Sequence, residues 1–107
     1  MTLTERLHSV GSAFNALGIP STHYWHPVKN APLLIWAEDG SVGFHSDNRT
    51  AEQMVTGTVD YFTHTEFDTN IDSIQTMLDG FMSSWSLNSV QYEEETNLIH
   101  YEWEWVL

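Results

Sequence analysis

The last ten residues, LIHYEWEWVL, carry a large apolar or aromatic residue at every second position, a pattern that only one kind of secondary structure explains. A period of two is typical of a β-strand with one buried and one solvent-facing side. Such a strand is expected to be paired along its length, because free chain ends fray. We therefore predict a strand near the middle of an antiparallel sheet. Its buried side would carry Ile99, Tyr101, Trp103, Trp105 and Leu107, and its wet side Leu98, His100, Glu102, Glu104 and Val106.

Two amphipathic segments predict helices that cover the aromatic side of this strand. In the first, from about Thr2 to Leu17, apolar residues recur at helical spacing. Thr2 and Glu5 have the pattern of a capping box, and Gly18 and Pro20 end the helix. The second begins after Thr69, the predicted N-cap. Its buried stripe comprises Ile71, Ile74, Leu78 and Phe81.

Between and after the helices the sequence predicts strands. Residues 22–32 form an extended segment and a loop, 33–38 a strand, 39–41 a tight turn, 42–45 a returning arm, 46–49 a loop and 51–65 a longer strand. A strand from Trp85 and a polar turn at 93–97 precede the final strand.

These elements predict a single α+β domain spanning residues 1–107, in the order α-β-β-β-α-β-β. Its mostly antiparallel sheet would have four to five strands, with two helices packed on one face. The predicted core is Leu7, Phe14, Val59, Tyr61, Ile74, Leu78, Phe81, Tyr101, Trp103 and Trp105.

The charge is strongly negative and unevenly distributed. Fifteen acidic residues against three Lys and Arg give a net charge of −12, and residues 50–107 contain eleven acids and no base. Such a surface repels phosphate, which argues against nucleic-acid binding through a basic patch. The chain has no Cys, which excludes disulfides and thiolate metal sites. Its short apolar runs and its N-terminus predict neither a membrane span nor a signal peptide, so a cytosolic origin is expected.

Candidate reactive groups are few. His23 and His26 have the spacing of a metal-binding pair, but an extended chain turns them to opposite sides. His100 is expected to be a solvated cross-strand partner, and 93-EEE-95 lacks the alternating oxygen ligands of a calcium loop. We therefore predict no metal, no cofactor and no catalytic activity.

Aromatic residues in or beside loops and edges predict a contact surface instead. The candidates are Trp25, Trp36, Phe44 and Phe67.

Two segments carry a family resemblance: 57-GTVDYFTHTEFDTNIDSIQTMLDG-80 and 84-SWSLNSVQYEEETNLIHYEWEW-105. Together they resemble the small tail-terminator or tail-completion proteins of long-tailed bacteriophages and prophages of Gram-positive hosts. The shared features are a strand with VDYFT, an acidic TEFD link into an amphipathic helix, and a final hairpin. The resemblance covers about the second half of the chain, and residues 19–50 lie outside it.

The resemblance implies an α+β protein that assembles with copies of itself into a ring, typically a hexamer, at the head-proximal end of the tail. Such a ring stops polymerisation of the tail tube, contacts head-completion proteins and lets DNA pass without specific binding. It would be assembled in the bacterial cytoplasm and reside in the virion. An acidic channel wall would not grip phosphates. Glu93, Glu94 and Glu95 are therefore candidates for the lumen.

Three alternatives remain open from the sequence. The chain could be a head-completion or minor capsid protein of the same virion. It could be an acidic inhibitor or DNA mimic that binds a basic enzyme surface. A small metal-dependent enzyme that uses His23 and His26 is the third.

Overall fold

The computed structural model describes the backbone at residues 2–25, 27–46 and 49–107, and the side chains of these residues outside 42–53. Two helices and five strands follow one another as α1 (Leu3–Asn15), β1 (Ser21–His23), β2 (Leu33–Ser46), β3 (Arg49–Thr63), α2 (Asn70–Phe81), β4 (Ser84–Glu93) and β5 (Leu98–Val106). Among the described residues, no helix is long and apolar enough to cross a membrane.

The five strands form one sheet in the order β1-β2-β3-β5-β4. All neighbouring pairs are antiparallel except β1 and β2, which are parallel. The predicted α+β class and the order of elements are therefore confirmed. As expected from its alternating sequence, β5 lies inside the sheet, between β3 and β4.

The two helices begin in different ways. At α1 the predicted capping box is present: Glu5 N–H donates to Thr2 Oγ1 over 3.1 Å, and Thr2 N–H donates to Glu5 Oε1 over 3.3 Å. At α2, Thr69 occupies the predicted N-cap position, but it has helical backbone angles and makes no capping bond with its side chain. Asp68 caps the helix instead, accepting from Asn70 N–H over 2.9 Å.

The main core lies between the helices and one face of the sheet. Large buried side chains from both layers form it, with Leu7 and Tyr101 partly buried against it. Trp103 is fully buried, and its indole N–H donates to Gln75 Oε1 over 3.0 Å. Of the predicted core residues, the structure buries Phe14, Val59, Tyr61, Ile74, Leu78, Trp103 and Trp105.

Phe81 was predicted for the core, and that prediction is wrong: its side chain is 39% exposed. The α2 helix ends at Phe81, and the next residue, Met82, has extended backbone angles. Met82 is buried in the core cluster. The change of backbone direction thus brings Met82 into the core, whereas strict helical spacing pointed to Phe81.

A smaller core lies on the other face of the sheet. Leu33, Ile35, Phe62 and Leu98 are buried there, with Val28 and Ala31 packed against them. The prediction that Leu98 faces solvent is therefore wrong. The segment before β2, which contains Val28 and Ala31, packs on this face of the sheet and shields these four apolar side chains from solvent.

The predicted turn at 39–41 is also wrong. Strand β2 continues through it, and Asp39 is accommodated by a register shift between Glu38 and Gly40. A bulge of this kind inserts one residue without reversing the chain. Strand β2 instead ends at Ser46 and β3 starts at Arg49, within the predicted 46–49 loop, whose residues 47 and 48 lie outside the described part of the chain.

Strands β2 and β3 extend past the rest of the sheet. Strand β5 pairs with β3 only from Thr56 onward, so Ser41–Ser46 and Arg49–Val55 pair with each other as a two-stranded ribbon. We call these residues the ribbon. The described molecule is correspondingly elongated, with extents of 53 × 23 × 23 Å.

Candidate assembly surface

The outer edge of β4 is one open side of the sheet. Within the described strands, β4 pairs with β5 alone, and it is ten residues long. An edge strand presents a row of unpaired N–H and C=O groups that can pair with a strand of another chain. This edge therefore has the backbone chemistry for sheet extension between molecules.

Three apolar side chains of β4 are exposed beside that edge. Leu87, Val90 and Tyr92 are 45%, 51% and 59% exposed, respectively. By register, Leu87 lies opposite Trp103 and Val90 opposite Tyr101. These three residues, the β4 stripe, thus lie on the helix-covered face of the sheet but outside the area that the helices cover. Grouped exposed apolar residues are typical of contact surfaces.

The opposite edge of the sheet is also largely open. Strand β1 pairs with β2 only at residues 34–36. From Ala37 to Gly40, β2 pairs with β3 on its other side and with no further described strand. The sheet consequently has an unpaired edge on each side, contributed by different strands.

The turn between β4 and β5 lies at the end of the sheet opposite the ribbon. Glu93 pairs with Leu98 there, and Thr63, the last residue of β3, pairs with Ile99. The exposed turn residues Glu94 and Glu95 therefore lie near the loop that leaves β3. We call the turn 93–97 and the loop 64–69 together the loop end.

Two of the predicted contact aromatics are strongly exposed. Phe67, in the loop end, is 89% exposed, and Trp25 is 70% exposed. Trp25 lines a cavity of about 360 Å³ on the smaller-core face together with Glu93 and His100. Trp25, predicted as a contact residue, and Glu93, predicted for the lumen, thus line the same cavity. The side chain of Phe44, another predicted contact residue, lies outside the described residues.

Backbone strain accompanies exposure at two aromatic residues. Tyr24 has φ of 70° and Phe67 has φ of 56°. Bulky residues seldom adopt positive φ, and such outliers concentrate at functional sites. The side chain of Phe67 is almost fully exposed, so burial does not explain its backbone angle, whereas Tyr24 stacks on His23.

Trp36 is not part of the contact surface, and the prediction that placed it there is wrong. Its side chain is only 5% exposed and belongs to the main core, where its ring stacks on Phe14. The reason is that β1 and α1 cover β2 at this point. The alternation of β2 alone did not show this, because Leu34, Ile35 and Trp36 are all apolar and buried.

The outer side of Trp36 contributes to a groove of about 440 Å³ between α1 and strands β1 and β2. The imidazole of His23 is stacked between the rings of Tyr24 and Trp36, 3.8 Å from each ring centre. Its Nε2 lies 2.6 Å from Glu38 Oε1. Burial alone would raise the pKa of Glu38, but hydrogen bonds from His23, the backbone and Tyr24 hold that pKa below its usual value. His26, the other half of the predicted HxxH pair, lies outside the described residues.

Asp68 fixes the loop end to the sheet. Its Oδ2 accepts from Tyr61 Oη over 2.6 Å and from Thr63 Oγ1 over 2.7 Å. Burial, followed by the bond to Asp68, raises the pKa of Tyr61 to about 12. The sequence analysis did not predict this network. The only feature of the sequence that indicates it is Asp68 itself, because Asp is a common capping residue at the start of a helix.

His100 is more constrained than a solvated cross-strand residue. Its Nε2 lies 2.6 Å from Asp60 Oδ1, and its ring stacks on Phe62 at 4.2 Å between centres. Glu102, on the same strand and face, completes a group of three part-buried residues with metal-ligating atoms. The structure thus brings together residues that the sequence analysis considered separately or not at all.

Comparison with known proteins adds no identification: neither a scan against protein-family models nor a search of curated proteins finds a match.

Proposed function

We propose that this protein is a structural tail terminator of a long-tailed bacteriophage or prophage, without catalytic activity. In this role, copies of the chain form a ring that caps the head-proximal end of the tail tube and contacts head-completion proteins. The protein would be assembled in the bacterial cytoplasm and retained in the virion. The observation that carries the proposal is the pair of unpaired sheet edges on opposite sides of one domain.

Opposite edges suit a ring because a closed ring requires head-to-tail contacts between two different surfaces of each copy. Strand β4 offers one surface and β2 from Ala37 to Gly40 the other. A symmetric dimer would instead use one surface twice. The exposed β4 stripe adds apolar area to the backbone pairing at one of these surfaces.

The ribbon supports the same role. An isolated two-stranded ribbon is at best marginally stable in water. In this chain the ribbon extends beyond the region where β5 pairs with β3. Packing against a neighbouring copy would supply the covering layer that a two-stranded element needs.

The charge fits a channel through which DNA passes. Net charge is −12, and the turn that carries Glu93, Glu94 and Glu95 is exposed. A wall without cations gives no counterion release on contact with phosphate and so does not hold DNA. We place these three glutamates at the lumen of the ring.

The decisive experiment adds purified protein to growing tail tubes of the virus or prophage that encodes the chain. We expect tubes to stop lengthening and to carry density at one end in electron micrographs. Tubes that continue to grow, with no density at either end, would contradict the proposal. Binding to isolated head connectors but not to tubes would point to head completion instead.

The lumen assignment has its own test in the variant with Glu93, Glu94 and Glu95 all replaced by Lys. It should fold and cap tubes, because all three residues are exposed, Glu93 at the end of β4 and the other two in the turn. DNA passage should be impaired, measured as lost infectivity of particles carrying the variant. Normal infectivity would remove the three residues from the lumen.

A further inference from the structure

Three side chains with metal-ligating atoms converge on the sheet face that the helices leave uncovered. They are Asp60 on β3, and His100 and Glu102 on β5. One ligand atom from each lies within 4.8 Å of the other two, and all three residues are partly buried. This cluster takes no part in the assembly role proposed above.

We propose that Asp60, His100 and Glu102 bind one divalent transition-metal ion, with Zn²⁺ as the reference ion. An imidazole nitrogen and two carboxylate oxygens are a mixed donor set that zinc accepts in proteins. The imidazole favours zinc and its neighbours in the series over calcium or magnesium, which prefer oxygen ligands alone.

The positions of the three residues follow from strand register. Asp60 and Glu102 are direct partners on neighbouring strands, and Phe62 is the partner of His100. All these side chains point to the same face, because residues two apart on a strand share a side. The backbone of the two central strands therefore sets the spacing of the ligands.

The distances require only a small adjustment of the side chains. Around an ion with ligand bonds of about 2.0–2.1 Å, ligand atoms in a tetrahedral site lie about 3.3 Å apart. The present separations range from the 2.6 Å contact of His100 with Asp60 up to the 4.8 Å limit of the cluster. A site for one ion would therefore require His100 and Asp60 to move apart by about 0.7 Å, since the spacing of about 3.3 Å exceeds their 2.6 Å contact.

Neighbouring groups already orient two of the ligands. The ring of His100 is stacked on Phe62 with an angle of 19° between the planes. Glu102 Oε1 accepts a long hydrogen bond of 3.4 Å from Asn88 Nδ2. Such surrounding contacts raise metal affinity by fixing the direction of each ligand.

Electrostatics favours a cation at this place. Like charges directly opposite each other on neighbouring strands are destabilising. Asp60 and Glu102 are such a pair, and Glu104, which is exposed, follows on the same face of β5. A bound divalent ion would replace this repulsion with attraction. Three protein ligands also leave a coordination position open to water or to a neighbouring chain.

The chain contains a matched control for the cluster. His23 and Glu38 form the same 2.6 Å contact between an imidazole nitrogen and a carboxylate oxygen. Of the described residues, only Asp60, His100 and Glu102 bring three potential ligand atoms within 4.8 Å of one another. Substituting His23 therefore removes a comparable pair without touching the proposed ligands.

The test is calorimetric titration of Zn²⁺ into tag-free protein that has been dialysed against a chelator. We expect one ion per chain for the wild type and at least about a tenfold loss of affinity for His100→Gln and for Glu102→Gln. His23→Gln should bind as the wild type does. Co²⁺ should give visible absorption bands with the wild type and His23→Gln, and not with His100→Gln.

Thermal unfolding with and without Zn²⁺ distinguishes a lost site from a lost fold. Folded His100→Gln and Glu102→Gln should no longer gain stability from the ion, because only binding to the folded state stabilises. The proposal is overturned if the wild type shows no saturable binding, or if both folded variants keep its affinity. Equal losses in His23→Gln and His100→Gln would also overturn it.

Discussion

The indole of Trp105 lies directly against the backbone of Gly57, its partner on the neighbouring strand. A Cβ atom at position 57 would lie 2.1 Å from Cζ2 of Trp105 and 2.5 Å from the carbonyl oxygen of Ala37. Since no real Cβ atom approaches so closely, only glycine lets this ring occupy the core next to β3.

We therefore expect Gly57→Ala to destabilise the fold by about 1–3 kcal/mol, the usual cost of forcing atoms into a packed core. Gly80→Ala is the control, because a Cβ there meets nothing within 4 Å and the position is helical. The control should be neutral or stabilising by up to about 1 kcal/mol. Urea unfolding followed by tryptophan fluorescence measures both. Equal stability of Gly57→Ala and wild type would refute the close approach.

Two tryptophans in opposite environments give a second comparison. Trp103 is fully buried and Trp25 is 70% exposed. Trp103→Ala should lower the free energy of unfolding by about 3–5 kcal/mol, as cavity formation in a core does. Trp25→Ala should change it by less than about 0.5 kcal/mol. Both free energies can be measured by chemical denaturation followed by circular dichroism. Similar losses for the two variants would show that the strand faces are assigned wrongly.

The Asp68 network predicts a dependence of stability on pH. Burial would raise the pKa of Asp68, but bonds from Tyr61, the Asn70 amide and Thr63 outweigh it, so the pKa lies below its usual value. A depressed pKa means that ionised Asp68 stabilises the fold above the unfolded-state pKa of about 3.9. This stabilisation is lost as the pH falls through the folded-state pKa.

Asp68→Asn should accordingly cost about 1.5–3 kcal/mol at pH 7, in line with hydrogen bonds to a charged group. The difference from wild type should stay constant down to about pH 5 and shrink below about pH 4. Glu94→Gln, in an exposed turn, serves as the control. Thermal unfolding measured at several pH values would count against the network if the difference persisted unchanged in acid.

The β4 stripe can be tested without disturbing the core. Val90→Lys places a charge on an exposed edge strand and should change stability by less than about 0.5 kcal/mol. It should nevertheless prevent capping of tail tubes, because contact through the β4 stripe would bury this charge among apolar side chains. Gln91→Lys is the control on the opposite face of the same strand. Equal capping by both variants would exclude the stripe from the contact.

The regular parts of this fold were predictable because periodicity and burial agree in them. Val59 on β3 and Trp103 on β5 lie between polar residues, and both are buried, as are Tyr61 and Trp105 two positions further on. Ile74 and Leu78 follow the helical period. In each case the apolar positions recur with the period of the element and meet the main core, so the pattern of residue types records the geometry.

The misses occur where a second contact overrides the local pattern. Asp39 and Gly40 have turn chemistry, yet pairing with β3 keeps them in a strand. Leu98 is buried by a distant segment that packs on the far face. The cluster around His100 depends on cross-strand register, because Asp60 is forty residues away in sequence. Local spacing carries no information about such long-range contacts.

The two irregularities in β2 and β3 have a consequence for changes in chain length. Strand β2 has one extra residue between Glu38 and Gly40, and β3 has one extra between Thr50 and Glu52. The two offset each other, so the strands remain matched at their far ends. Deleting one residue from either strand would shift the pairing by one position, and every later side chain of that strand would then face the opposite side of the sheet. Length variation here should thus be accepted only as paired indels, one in each strand.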